Sequence, residues 1–347
     1  MSTAIAVVLL LAVATYAIFG GADFGAGFWD LTAGGPERGE GPRGLIERSI
    51  GPVWEANHVW LIFIFVVTWS AFPSAFASIT LTMFIPLTIA ALGIVLRGAS
   101  FAFRKTVVTV RFRRIFGGAF ALSSLLVPFC FGAIAGGIAS GQVPAGGKAG
   151  DPVDSWLNPT SLATGVLAIV LAAYLAAVFL VRNARQVGEP GMAAYFRRRA
   201  VVTGVVAAAV ALIDFVVLSF GAPHVFDGLT SRALPLVIVS VASGVGTLVL
   251  LVRGASHGAR ALAVVAVACG IGCWGVAQWP YILPESLTFS AAAAPSGTLT
   301  ALLVAVGLAL LIVVPGFVLL YVLDQRQLLP EESVEDVGDR AVESGTG

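Results

Sequence analysis

The chain has 347 residues, of which 58% are hydrophobic and only 11% charged, with a net charge of +1. Soluble domains carry about 25% charged residues, so a water-soluble fold is excluded and the chain reads as a polytopic membrane protein. The near-zero net charge gives no electrostatic footprint for nucleic acid.

A transmembrane helix needs about 20 apolar residues. That ruler predicts nine spans, at residues 3–30, 52–72, 75–97, 115–138, 159–181, 200–221, 233–252, 261–282 and 299–323. The fold class is therefore all-α: one integral membrane domain over 1–323, with a first bundle at 1–138 and a second bundle and last helix at 159–323. A polar, acidic tail over 324–347 has too little apolar surface to fold alone. The N-terminal segment lacks a basic region before Ala4–Ile18, so it reads as an uncleaved span rather than a signal peptide. Spans two and three meet at Ser70–Ala75 and predict a tight helical hairpin. Pro86, Pro128, Pro235 and Pro315 fall inside spans, where neighbouring helices can satisfy the freed carbonyls. Of the 20 Lys and Arg residues, 18 lie in alternate loops and the tail; only Lys148 and Arg232 lie on the other side. Positive-inside logic then predicts an outer N-terminus, a cytoplasmic C-terminus and a bacterial-type inner membrane.

Ionisable groups at membrane depth are costly and mark function. The first span carries Asp23 within Gly20-Gly21-Ala22-Asp23-Phe24-Gly25-Ala26-Gly27. The glycines let another helix approach closely, so Asp23 is expected against protein, in a proton-handling or ion-pairing role rather than as a neutral helix-contact acid. The second span opens with Gly51-Pro52-Val53-Trp54-Glu55-Ala56-Asn57-His58-Val59-Trp60. Trp54, Asn57 and His58 share one helical face. Glu55 could be a first-turn carboxylate favoured by the helix dipole, but its apolar surroundings favour a functional reading. Arg97, at the end of the third span, could snorkel to the interface. The topology instead lets Asp23, Glu55 and Arg97 converge near the cytoplasmic face.

His58 reads as a hydrogen-bonded interior residue rather than a metal ligand. His224 and His257 lie in loops, and Met1, Met83 and Met192 add no facing ligand pair, so no haem is expected in this chain. Asp214, mid-membrane, reads equally as functional or structural. Gln278, Trp279, Tyr281 and Glu285 read as an outer interfacial cluster. Cys130, Cys269 and Cys273 lie in apolar runs and read as small packing residues, too few to bind a metal cluster.

Gly-Ala-Asp-Phe-Gly-Ala-Gly (Gly21–Gly27) followed by Gly-Pro-Val-Trp-Glu-Ala-Asn-His-Val-Trp (Gly51–Trp60) resembles the paired hallmarks of subunit II of cytochrome bd-type oxidases. These typically read Gly-Phe-Asp-apolar-Gly-Val-Gly, then Pro-x-Trp-Asp-Gly-Asn-x-Val-Trp. The resemblance continues through Ala71-Phe72-Pro73, Leu96-Arg97 and Arg104, and near the C-terminus through Pro280–Ser286, Ser296–Leu299 and Pro315…Tyr321. It is specific in the first hundred residues.

The resemblance implies two four-helix bundles plus a peripheral helix. It also implies pairing with a homologous subunit I that carries b- and d-type haems and the quinol-oxidising loop, with room for small single-span subunits and lipids. The complex would oxidise quinol and reduce oxygen to water with cytoplasmic protons. Glu55 takes the position of the family's aspartate for proton delivery; Asp23, Trp54, Asn57, Trp60 and Arg97 surround that path and the subunit contact. Three positions depart from the pattern. Glu55 replaces the aspartate, Gly20 stands where many members have a second acid, and His58 stands where Gln or Glu is common. The competing readings are a secondary transporter with buried carboxylates and a structural anchor of another redox complex.

Overall fold

The computed structural model describes residues 1–50, 54–106 and 110–325. Among the described residues the chain is all-α apart from one small hairpin. Its helices are α1 (Ser2–Leu31), α2 (Pro36–Ile50), α3 (Trp54–Ala71), α4 (Pro73–Thr82), α5 (Phe84–Thr106), α6 (Val110–Ala139), α7 (Pro159–Gln186), α8 (Pro190–Gly221), α9 (Pro223–Thr230), α10 (Leu234–Val252), α11 (Ala259–Gln278), α12 (Phe289–Ala292) and α13 (Ser296–Gln325). Strands β1 (Tyr281–Leu283) and β2 (Leu287–Thr288) pair antiparallel between α11 and α12. Among the described residues, seven helices are long and apolar enough to cross a membrane, or eight if the bent pair α4–α5 forms one span. The expected count of nine differs at residues 52–72, whose described apolar part is the shorter stretch Asn57–Ala71. The chain is a multi-pass membrane protein.

Residues 1–299 form one compact unit, and the other unit, from Thr300, holds most of α13. Within the first unit, α3, α1, α6 and α5 pack in that order. The later helices close a ring, α7 on α8, α8 on α10, α10 on α11 and α11 on α7; α1 and α6 both lie against α7. Helix α7 can serve this central place because half of its buried apolar residues are alanine: Ala172, Ala173, Ala176, Ala177 and Ala184. In a bilayer, helices associate by van der Waals packing and hydrogen bonds rather than by apolar burial, so small residues that bring backbones together carry the contact. At Gly25 the approach is limiting, since a Cβ there would collide with the Ala172 carbonyl of α7. One turn on, Trp29 Nε1 donates to the Ala173 carbonyl at 2.8 Å, in a buried bond that fixes the register of α1 on α7.

Helix starts follow local chemistry. Asn158 caps α7 by accepting from the Ser161 amide at 2.9 Å, and proline occupies the first turn of α4, α7, α8, α9 and α10. Pro235, expected inside a span, is thus one of these helix-starting prolines.

The structure corrects two expected boundaries. The span read at 75–97 is broken at Met83, where α4 and the first part of α5 are bent by 83°. Pro86 lacks the N–H that would bond the Thr82 carbonyl, so the helical ladder cannot run through. The α6–α7 loop fills the break: Gly147 N donates to Ser78 Oγ at 3.0 Å and Gly150 N to Thr82 Oγ1 at 2.9 Å. The expected hairpin between spans two and three therefore contains an extra short helix. In the same loop, Asp151 accepts the amides of Val153 and Asp154, which hold its carboxyl below the usual range. The span read at 261–282 stops at Gln278, because its last residues form β1 and a turn in which Glu285 has a φ of 58°. The polar tail lies outside the described residues beyond Gln325.

Gly25→Val should separate α1 from α7 and destabilise the protein by about 1–3 kcal/mol. Thermal unfolding in detergent should show a clear drop in midpoint relative to wild type. An unchanged midpoint would contradict the close contact.

Candidate proton-handling site

The site starts from one arginine. Arg97 lies mid-helix in α5, which runs nine residues further to Thr106, rather than at the helix end expected from hydropathy. Its side chain is 2% exposed, so it does not snorkel. Arginine keeps its charge in proteins, and a bare cation at this depth would be untenable, so the surrounding groups must answer it. Nη2 donates to Asp23 Oδ1 at 2.7 Å and to the Asp23 carbonyl at 2.8 Å. Nη1 donates to Ser124 Oγ on α6. The guanidinium carbon lies 4.2 Å from the Phe120 ring centroid and 5.0 Å from that of Phe24, so the cation is held between aromatic faces as well as by oxygen.

Gly27 makes room for this arrangement. A Cβ there would collide with Ser124 Oγ and stand 2.8 Å from Arg97 Nη1. The glycine-rich run around Asp23 thus has two uses on two faces: Gly25 admits α7, and Gly27 admits the arginine and serine.

Asn57 joins α3 to the same turn of α1. It is buried, and Nδ2 donates to the Phe19 carbonyl at 3.3 Å. Phe19 O is also the i−4 acceptor for the Asp23 amide in an α-helix, so Asn57 braces the backbone under Asp23. Trp60 is half-buried and packs into the apolar cluster of Tyr16, Phe24, Ala90, Val127 and Cys130, with an edge-to-face contact to Phe63 at 6.3 Å. His58 is half-buried on the same helix. The side chains of Trp54 and Glu55, in the first turn of α3, lie outside the described residues. Asp23, Arg97, Asn57 and Trp60 are therefore brought together, while the place of Glu55 rests on the sequence.

Ser124, Phe120 and Asp30 also contribute, none of them singled out from sequence. Ser124 and Phe120 complete the arginine's surroundings. Asp30 is buried at the end of α1, 3.6 Å from Arg43 Nε on α2. Arg43 also donates to the Gly34 and Gly35 carbonyls, which folds α2 back over the end of α1. Asp30 follows Asp23 by seven residues, two turns along the same helical face, and that spacing is its signal in the sequence. Asp214 of α8 is buried and meets Thr164 Oγ1 of α7 at 3.0 Å, which supplies the partner its sequence lacks. Gln278 is buried and donates to the Ile282 carbonyl at 2.8 Å, so it braces the hairpin rather than facing an interface. Trp279 stacks on Phe289, and Tyr281 meets His224 edge-on. The three cysteines are free thiols, and no cluster of three or more metal-ligating side chains occurs among the described residues.

These features define a class: an all-α integral membrane protein organised around a buried arginine–carboxylate pair. The family follows from comparison with known proteins. The chain matches the family model for cytochrome bd terminal oxidase subunit II over residues 1–324 and belongs to that family. It is 32% identical over 114 residues to cytochrome bd ubiquinol oxidase subunit 2 of Bacillus subtilis, a match covering 33% of each chain. It is 26% identical over 225 residues to cytochrome bd-I ubiquinol oxidase subunit 2 of Escherichia coli, covering 61% of this chain and 55% of that one. These matches thus span one third to just over half of those relatives. In structure it resembles a chain of the bd oxidase from Geobacillus thermodenitrificans, with a TM-score of 0.79, 26% identity, and coverage of 92% of this chain and 97% of that one.

Removing one partner of the buried pair strands the other charge. Arg97→Met should destabilise the protein by about 3–5 kcal/mol, and Asp23→Leu similarly, whereas the double variant should recover most of the loss. Thermal unfolding of all four proteins in one detergent measures the cycle. Additive losses would contradict the pairing.

Proposed function

We propose that this chain is the non-haem subunit of a quinol:oxygen oxidoreductase of the cytochrome bd type. It pairs with a homologous subunit I that carries the b- and d-type haems, and it supports proton delivery from the cytoplasm for reduction of oxygen to water. The observation that carries this reading is the Asp23–Arg97 pair, built by a sequence motif of the family to which the chain belongs. The charge asymmetry of the loops supports a cytoplasmic position for the α2 side of the site, with the N-terminus outside and the C-terminus inside.

The chain has three histidines and three methionines, Met1 among them, a sparse ligand set that supports placing the haems in the partner. In this reading the chain's own groups handle protons. Glu55 exchanges them at the cytoplasmic side, and Asp23, braced by Arg97 and Asn57, holds the next carboxyl. Arg97 allows a carboxylate to persist at depth without a net buried charge. A glutamate at position 55, one methylene longer than the usual aspartate, keeps the acid and extends its reach.

Glu55→Gln preserves shape and hydrogen bonding but removes the transferable proton. In the haem-containing complex purified from its native membrane, it should slow quinol-dependent oxygen uptake per haem by about 100-fold, within the range for loss of a proton-transfer group. Glu55→Asp should keep much of the activity. Full turnover of the Gln variant with an unchanged pH profile would make Glu55 a helix-end carboxylate only. A native preparation that contains this chain alone, without haem, would overturn the assignment as a whole.

A further inference from the structure

Two buried polar atoms beside the ion pair have no hydrogen-bond partner among the described residues: Asp23 Oδ2 and the Tyr16 hydroxyl. Both residues are more than nine-tenths buried, at 6% and 8% exposure. Buried polar groups in native proteins are nearly always satisfied, by protein or by ordered water. Two such orphans at one place therefore point to a shared third party.

The geometry of α1 brings them toward each other. Residues 16 and 23 are seven apart, two turns along one face, with about 10 Å between their backbones. Gly20 lies between them and has no side chain. The Tyr16 ring occupies that space, with Cε2, Cδ2 and Cζ at 3.0, 3.2 and 3.4 Å from where a Gly20 Cβ would stand. The ring thus lies along the helix over Gly20, on the face that carries Asp23. Its outer edge is fixed by Phe131 of α6, at 5.8 Å and nearly perpendicular. The Asp23 carboxylate is fixed through its other oxygen by Arg97. Both ends are therefore rigid. A water needs two or more polar partners to be held in such a place, and a donor phenol and an acceptor carboxylate supply them.

We infer that Tyr16 and Asp23 hold an ordered water between them, and that Tyr16 is a positioning residue for proton exchange at Asp23. The phenol donates to the water oxygen, and the water donates to Oδ2. In the exchange, an O–H bond forms at Oδ2 as one breaks at a hydronium, which is left as neutral water; the reverse step restores both. Nothing is oxidised or reduced, and Arg97 keeps Oδ1 occupied so that the proton goes to Oδ2. The other elements packed on Tyr16 bring few titratable groups. Helix α6 contributes Cys130, α3 carries His58 two residues before Trp60, and α5 contributes Arg97 itself. Gly20 is thus more than a contact residue, because a side chain there would displace the phenol.

This inference rests on the proton-delivery reading above. The test uses the haem-containing complex with Tyr16→Phe, which keeps the ring, its Phe131 contact and its cover over Gly20 but removes the hydroxyl. Oxygen uptake per haem is measured from pH 6 to 9 beside Glu55→Gln. Loss of the water's donor should slow turnover about tenfold, the size of one hydrogen bond. It should also change the alkaline limb of the pH profile and raise the solvent isotope effect. Wild-type turnover and pH profile in the Phe variant, with a slow Gln variant, would overturn this inference alone. Full turnover in both would overturn the delivery reading as well. A lower yield of complex with unchanged turnover per haem would make the Tyr16 hydroxyl merely structural and would overturn the inference too.

Discussion

The structure depends on keeping one guanidinium charged inside an apolar bundle. Arg97 is 2% exposed, and each contact around it answers that constraint: the Asp23 carboxylate and carbonyl, the Ser124 hydroxyl, and the two phenylalanine faces. Those groups come from α1, α5 and α6, so the charge also dictates which helices must meet. A buried ion pair is weak evidence of net stability, because desolvation offsets much of the attraction. Its value lies in specificity: the packing of these three helices leaves neither charge stranded.

The same constraint explains why α1 is rich in glycine and α7 in alanine. Helix α1 must accept α7 at Gly25 and the arginine at Gly27, on different faces within one turn. Side chains at these positions would force it to give up one contact. Trp29 then locks the α7 contact with a directional bond that apolar packing alone cannot supply. Beyond the pair, Asn57 and Tyr16 act on the Asp23 turn, one through backbone and one along the face that Gly20 leaves open.

Much of this is legible in the sequence, for a physical reason. An aspartate or arginine in an apolar run stands out because the membrane makes it costly, so Asp23, Arg97 and Asp214 are visible from residue type alone. Their partners are not. Ser124 and Thr164 look like ordinary small residues of a span, and only the helix packing turns them into hydrogen-bond partners. Hydropathy also marks most helix bounds, but it cannot register a missing N–H. It therefore runs one helix through Met83, where Pro86 and the loop bonds to Ser78 and Thr82 impose an 83° bend. It likewise extends α11 into Tyr281 and Ile282, which are apolar but form a strand. Hydropathy puts Arg97 at a helix end because the apolar run stops there, whereas hydrogen bonding carries α5 onward. Asp30 is inconspicuous because it closes the apolar run of α1, where an acid is ordinary, and only the fold of α2 over that end buries it.

The most direct test of the central claim is a side-chain-resolved map of this chain in its assembled complex. The Arg97 guanidinium should lie against Asp23 at close to 2.7 Å, between Phe24 and Phe120, with Ser124 on its other nitrogen and the Glu55 carboxyl opening toward the same turn of α1. An Arg97 side chain turned out to lipid or headgroups, with Asp23 bonded elsewhere, would contradict the account.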